Sequence, residues 1–178
     1  ALLHMGNESN LERLINGHKW GDFPPVPGRV NDTKWRIQIA KFVNDGIITE
    51  EDMDRVQRIW DLFEEMKPQS QQSYKAVFGR YFDEIPAKPF KLFGKEYKGG
   101  YVPVIYDPNF AAIGAKQEHS AEDLFNGVRD AMPKLKAGWG EGRADSTGKR
   151  LLFDLSRLRN HLQKQILFAY MGPASVDV

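Results

Sequence analysis

The sequence predicts a mainly α-helical (α+β) protein: a helical bundle with a small antiparallel β-hairpin between two helical halves. Apolar residues recur at steps of three and four along most of the chain, which is typical of amphipathic helices. Residues 88–107 differ, because short aromatic runs there flank glycines, the usual signal of strands joined by a turn. The 178 residues suit a single domain, with one helical half at 1–86, the β seam at 88–107 and the other helical half at 110–178.

The first half is predicted to contain four helices. We place them at residues 7–16, 32–44, 49–66 and 68–85. Asn7 or Ser9 caps the first helix, and Thr49 with Asp52 has the spacing of a capping box. Pro68 suits the first turn of a helix, so we expect a new helix to begin there. Residues 18–28 hold three prolines and two glycines, which predicts a stiff extended connector.

The β seam is predicted to be a hairpin followed by an edge strand. A tight turn at Gly94-Lys95, with Gly94 at positive φ, would join the two aromatic-rich strands. The pair Gly99-Gly100 predicts a bulge or a close approach of another backbone. Pro103 lacks an N–H, so the run that contains it is expected to lie at a sheet edge.

The second half is predicted to contain two helices and a loop between them. Ser120 caps a helix that extends to about residue 135. Residues 137–148 hold four glycines and many polar side chains, which predicts a mobile loop. The last helix is expected at residues 150–171, where leucines form an apolar stripe.

Lysines and aromatic residues alternate along the seam. The lysines are Lys88, Lys91, Lys95 and Lys98, and the aromatic residues are Phe90, Phe93, Tyr97 and Tyr101. One interpretation is a nucleic-acid surface, because single strands bind to basic grooves with stacking rings. The other is a small sheet with its aromatic side chains turned inward, and strand alternation alone favours it.

Charge is unevenly distributed although the formal total is +1. Residues 44–65 carry eight acids and two bases, whereas residues 133–165 carry eight bases and three acids. The two regions complement one another, or the basic one meets phosphates. Arg150 and Arg157, seven residues apart, would share a helix face. The nucleic-acid hypothesis therefore rests on Lys91, Lys95, Lys98, Arg143, Lys149, Arg150 and Arg157.

Composition and spacing exclude several kinds of site. The chain has no cysteine, which excludes disulfides, cysteine–zinc centres and thiol catalysis, and no apolar run approaches the length of a membrane span. An EF-hand alignment on Gly46 would put Lys41 and Val43 at calcium-ligand positions, and neither side chain can bind Ca²⁺, so we reject a calcium site. A phosphate loop at residues 142–150 has the wrong spacing, with Arg150 in the Ser/Thr position. We predict no metal and no cofactor.

Histidines offer the best enzymatic alternative. His119 lies beside Glu118 and near Asp123, and His161 lies among leucines of the last predicted helix. No pair of histidines has metal-ligand spacing on one helix. Helix-packing and capping roles account for both residues, so we assign no catalytic residue and favour a non-enzyme.

Three stretches of the sequence stand out when they are taken together: residues 1–14 (ALLHMGNESNLERL), 99–108 (GGYVPVIYDP) and 151–161 (LLFDLSRLRNH). As a set, they resemble a module of the very long polyvalent or internal virion proteins of tailed bacteriophages. Members of that family often carry a second histidine and an acid further along the last helix, where this chain has QILFA at 165–169. The resemblance carries over no catalytic residue.

The resemblance implies a non-catalytic module that acts in packing, assembly or genome ejection. Its partners would be other virion proteins, further domains of the same polypeptide or a second copy, and its location the virion or host cytoplasm. Both ends of the chain suggest a piece of a longer polypeptide, with neither signal peptide nor membrane span. The alternatives are a DNA-binding module and an enzyme fragment with its site around His119 and His161.

Overall fold

A computed structural model describes residues 1–21, 31–107 and 150–171. A short 3-10 helix (Leu2–Met5) precedes helices α1 (Glu8–His18), α2 (Thr33–Asn44) and α3 (Glu50–Phe78), strands β1 (Phe90–Leu92) and β2 (Lys95–Tyr97), and helix α4 (Leu155–Met171). The described part is thus mainly helical with one two-stranded antiparallel sheet, which confirms the predicted fold class. The predicted helix at 120–135, the glycine loop at 137–148 and most of the 18–28 connector lie outside the described residues.

Helix α1 begins after its predicted cap, and α2 lies within its predicted range. The Asn7 side chain accepts a hydrogen bond from the backbone N–H of Asn10, which satisfies a donor of the first turn of α1. Helix α1 ends at a left-handed Lys19, slightly beyond the predicted end at residue 16. Helix α2 follows Asp32 and ends at Asn44, as predicted.

Helix α3 is a single helix of 29 residues and not the predicted pair. The Thr49–Asp52 capping box is present at its start. Pro68 lies inside α3, so the prediction of a new helix at this residue is wrong. Pro68 is exposed, while Phe63 and Tyr74 on either side of it are buried, so packing holds the helix together across the missing N–H.

The C-terminal end of α3 also differs from the prediction. The helix stops at Phe78 because Gly79 adopts φ 73°, a left-handed conformation that ends helices. Residues 79–85 were expected to continue the buried face. Instead Tyr81 is exposed, and Phe82 is buried in a non-helical segment whose backbone N–H donates to the side chain of Gln71.

The hairpin is present, with its turn one residue earlier than predicted. Phe90 pairs with Tyr97 and Leu92 with Lys95, which leaves Phe93 and Gly94 as the two turn residues. Both have positive φ (53° and 71°), as a type I′ turn requires. The edge strand expected around Pro103 is not formed, and the segment forms only an isolated antiparallel bridge between Tyr106 and Leu151.

Helix α4 begins at Leu155, so the prediction of a helix from Arg150 is wrong. Arg150 and Leu151 are extended, because their backbones pair with the end of the seam: Asp107 N–H donates to Arg150 O at 2.9 Å and Leu152 N–H to Ile105 O at 2.8 Å. Helix α4 runs alongside α3 in the same direction, and Ser73 Oγ donates to the carbonyl of Ala169 at 2.5 Å.

The buried core is centred on Trp60 of α3. This fully buried ring packs edge-on against Phe90 of the hairpin, with ring centroids 6.1 Å apart. Its indole N–H donates to the carbonyl of Leu3 at 2.9 Å, which attaches the first residues of the chain to α3. No helix among residues 1–21, 31–107 and 150–171 is long and apolar enough to cross a membrane.

Candidate functional site: a polar ladder on the first helix

Three polar side chains at steps of three along α1 are buried. Asn7 and Asn10 are fully buried and Arg13 is 8% exposed. Residues three apart lie on one face of a helix, so these three form a row, called here the polar ladder. Leu11, Leu14 and Ile15 occupy the adjoining apolar stripe. Helix α1 therefore buries a polar face as well as an apolar one.

The polar ladder holds an extended segment, residues 98–106, in place. Asn7 Nδ2 donates to Gly100 O at 3.1 Å, and Asn10 Nδ2 donates to Val102 O at 2.9 Å. Arg13 Nε donates to the hydroxyl of Tyr106 at 3.2 Å. Side-chain amides of a helix thus take the place of a neighbouring strand, since buried carbonyls need hydrogen-bond donors.

Helix α3 holds the other side of the same segment through Gln57 and Trp60. Gln57 Oε1 accepts the backbone N–H of Lys98 at 2.9 Å, and Gln57 Nε2 donates to Gly99 O at 3.3 Å. A Cβ at Gly100 would lie only 2.5 Å from the Cβ of Trp60. The predicted close approach of another backbone at Gly99-Gly100 is confirmed, because Gly100 N–H also donates to Gly6 O at 2.8 Å.

The residues after the undescribed stretch complete this arrangement. Leu151 is buried and pairs with Tyr106, next to the end of the polar ladder. Phe153 lies against the first two elements, with its ring 6.1 Å from that of His4 and stacked 4.9 Å from that of His18. The stretches 1–14, 99–107 and 151–161 therefore meet in one buried framework.

The predicted phosphate-facing residues do not form one patch in the described part. Lys95 donates to Asp54 at 2.5 Å and lies 3.8 Å from Glu50, so its charge is paired with the acidic start of α3. The hydrogen bond from Lys95 holds the pKa of Asp54 below its ordinary value and raises the pKa of Lys95. Lys91 on β1 and Lys98 after β2 are both exposed.

Four of the predicted nucleic-acid-binding residues lie in the C-terminal half, and among them the structure describes the side chain of Arg150. It is exposed and lies before α4, so it does not share a helix face with Arg157 as predicted. Arg157 lies in the first turns of α4, and Arg143 and Lys149 are outside the described residues.

The aromatic residues of the seam face the core. Tyr97 and Tyr101 are 1% and 3% exposed, and Phe90 stacks on Tyr97 with ring centroids 5.7 Å apart. Burial raises the pKa of the Tyr97 hydroxyl. Because stacked bases need accessible rings, these tyrosines cannot form a stacking platform in this conformation. The interpretation of a small sheet with inward aromatic side chains is confirmed.

His161 does not have the surroundings of a catalytic acid–base group. Its ring packs 6.2 Å from that of Phe63, and its Nε2 lies 3.0 Å from the side-chain nitrogen of Gln165. Burial, with a smaller contribution from the charge of Lys164, lowers the pKa of His161 to about 4. The imidazole is therefore neutral near pH 7 and a weak base. His119 lies outside the described residues.

The structure reveals a set of contacts that the sequence had not indicated. Asn7 was identified only as a helix cap, and Asn10 and Arg13 were not singled out. Their spacing of three beside an apolar stripe was the available signal. Within residues 1–21, 31–107 and 150–171, no group of three or more His, Asp and Glu side chains is placed to hold a metal ion.

Comparisons with known proteins give no relative for this chain. No family model, curated protein or solved structure matches it. Inference about function therefore depends on the residues themselves, their arrangement and the resemblance of the three stretches.

Proposed function

We propose that this chain is a non-catalytic interaction module of a tailed-bacteriophage virion protein, acting in packing, assembly or genome ejection. Its partners would be other virion proteins or further domains of the same polypeptide, and it would be located in the virion or the host cytoplasm.

One observation carries the proposal: the three stretches that resemble the virion module are the stretches that build the buried framework around the polar ladder. Asn7 and Asn10 come from the first stretch, and their acceptors Gly100 and Val102 come from the second. Leu151 of the third stretch pairs with Tyr106 of the second. Stretches whose side chains bind one another's backbones are expected in a module whose role is structural.

The chemistry of the framework supports a non-catalytic role. Its polar groups donate to backbone carbonyls and to a tyrosine hydroxyl, and catalysis needs such groups directed at a substrate. Asn side chains do not titrate, and the guanidinium of Arg13 also donates to Ser9 O at 2.9 Å. A site of this kind fixes geometry without moving protons.

The direct test is mass spectrometry of purified phage particles whose genome encodes this chain, compared with the infected-cell lysate. We expect peptides of the chain in gradient-purified particles and their loss from particles after triggered DNA ejection or particle disassembly. A chain that is abundant in the lysate and absent from particles would refute the virion assignment.

The DNA-binding alternative has a separate test. Exposed Lys91 and Lys98 favour it, and fluorescence anisotropy of labelled single- and double-stranded DNA measures it at low and at physiological salt. Binding that weakens steeply with salt and falls further in the double variant Lys91→Glu, Lys98→Glu would support this alternative. Absence of binding at low salt would discard it and leave the interaction module.

A further inference from the structure

A cleft between α2 and the hairpin has an apolar floor. Its volume is about 230 Å³, and Leu11, Trp35, Ile39 and Phe90 are among the residues that line it. Leu11, Trp35 and Ile39 belong to the hydrophobic core, so the floor is rigidly held. Sites for drug-sized ligands usually enclose about 300–1,000 Å³. This cleft therefore suits a smaller apolar group.

Trp35 lines the cleft, and its indole nitrogen is fully buried. The residue is only 5% exposed, and its indole N–H has no acceptor within residues 1–21, 31–107 and 150–171. Buried indole N–H groups normally find a partner. Since this nitrogen is not solvent-accessible, Trp35 contributes apolar surface to the cleft and no donor.

The rim of the cleft is basic. Among the described residues, Arg36, Lys88 and Lys91 line it, and Asp32 is the one acid. Asp32 is paired with Arg36 at 2.7 Å, and Lys88 lies 3.6 Å from Glu8. Lys91 is exposed and forms no ion pair within the part of the chain that the structure describes. The rim therefore has excess positive charge next to an apolar floor.

We propose that this cleft binds a small amphipathic carboxylate, such as a medium-chain fatty acid. The hydrocarbon chain lies on the floor, where burial of apolar surface drives binding. The carboxylate lies at the basic rim, which includes the exposed Lys91. This site lies outside the framework of the polar ladder and does not depend on the proposed virion role.

The test is isothermal titration calorimetry of the purified chain with octanoate, octanol and octylamine. We expect octanoate to bind at least about tenfold more tightly than octylamine, because only the anion is attracted by the rim. Its affinity should fall as ionic strength rises, as for any partly exposed charge pair. Equal affinity for all three compounds would mean nonspecific adsorption and would overturn the proposal.

Three variants locate the site. Lys91→Glu should weaken octanoate binding at least about fivefold and leave octanol binding unchanged. Lys98→Glu, a matched change at the other arm of the hairpin and outside the cleft, should have little effect. Ala40→Trp places a large ring on an exposed lining position and should block all binding. Unchanged octanoate binding in Lys91→Glu and Ala40→Trp would refute the assignment.

Discussion

The polar ladder can be tested by removing its central side chain. Asn10→Ala deletes the amide that donates to Val102 O at 2.9 Å, in a place where both residues are almost completely buried. A buried carbonyl that loses its donor costs about 1–3 kcal/mol. The missing side-chain atoms leave a cavity, which adds about 1 kcal/mol. We therefore expect the free energy of unfolding to fall by about 2–4 kcal/mol.

Asn16→Ala is the matched control. Asn16 lies on the same helix and is half-buried, so the substitution gives the same change of residue type and the same gain in helix propensity, about 0.6 kcal/mol. The difference in free energy of unfolding between the two variants therefore measures the buried hydrogen bond and the cavity.

Urea titration followed by circular dichroism measures both variants, with equal slopes as the check that unfolding stays two-state. The reasoning predicts that Asn10→Ala lies at least about 2 kcal/mol below Asn16→Ala. Variants that agree within about 0.5 kcal/mol would show that Val102 O finds another donor or water, and that the polar ladder does not hold the extended segment.

Three further predictions concern the backbone and one buried histidine. Gly100→Ala should lower the free energy of unfolding by about 3 kcal/mol or more, because the new Cβ would lie 2.5 Å from Trp60 Cβ. The control Gly94→Ala, whose Cβ would have nothing within 4 Å, should lower it by only about 1 kcal/mol. Thermal unfolding measures both variants. Pro68→Ala should raise the free energy of unfolding by about 1–3 kcal/mol, since Pro68 is exposed in the interior of α3 and alanine restores a backbone donor. An unchanged free energy of unfolding in urea titration would mean that the helix is bent to fit the proline. The pKa of His161 falls from 6.5 unfolded to about 4 folded, so the neutral form is favoured in the fold. The stabilisation from neutral His161 is complete above pH 6.5, and about 3 kcal/mol of the free energy of unfolding is lost as the pH falls towards 4. His161→Gln should lack this part of the pH dependence. Identical plots of unfolding free energy against pH for the two proteins would contradict the burial argument.

Local signals were sufficient to predict most of the elements. Caps at Asn7 and Thr49 and the apolar stripe of α3 depend on interactions within a few residues, so they can be identified in the sequence. The hairpin was recognisable for the same reason, although Gly94 occupies the second turn position and Phe93 the first. Because phenylalanine rarely adopts positive φ, the sequence did not predict Phe93 as a turn residue.

Long-range contacts explain what was missed. Pro68 normally starts or ends a helix, and the packing of Phe63 and Tyr74 overrides that preference. Residues 150–154 continue the leucine pattern of a helix, yet their backbone pairs with the seam. Asn10 and Arg13 look like the solvent face of an amphipathic helix until the extended segment covers them. The buried framework is therefore a tertiary property of three distant stretches.

The backbone pairing of Asp107 with Arg150 brings the two ends of the intervening stretch, residues 108–149, to one point of the fold. Closing a flexible loop costs only about 0.6 kcal/mol more each time its length doubles. On loop-closure entropy alone, the pairing of these two positions depends little on the number of residues between them. Such a junction is a place where sequence can be inserted or exchanged while the two paired backbone positions stay together.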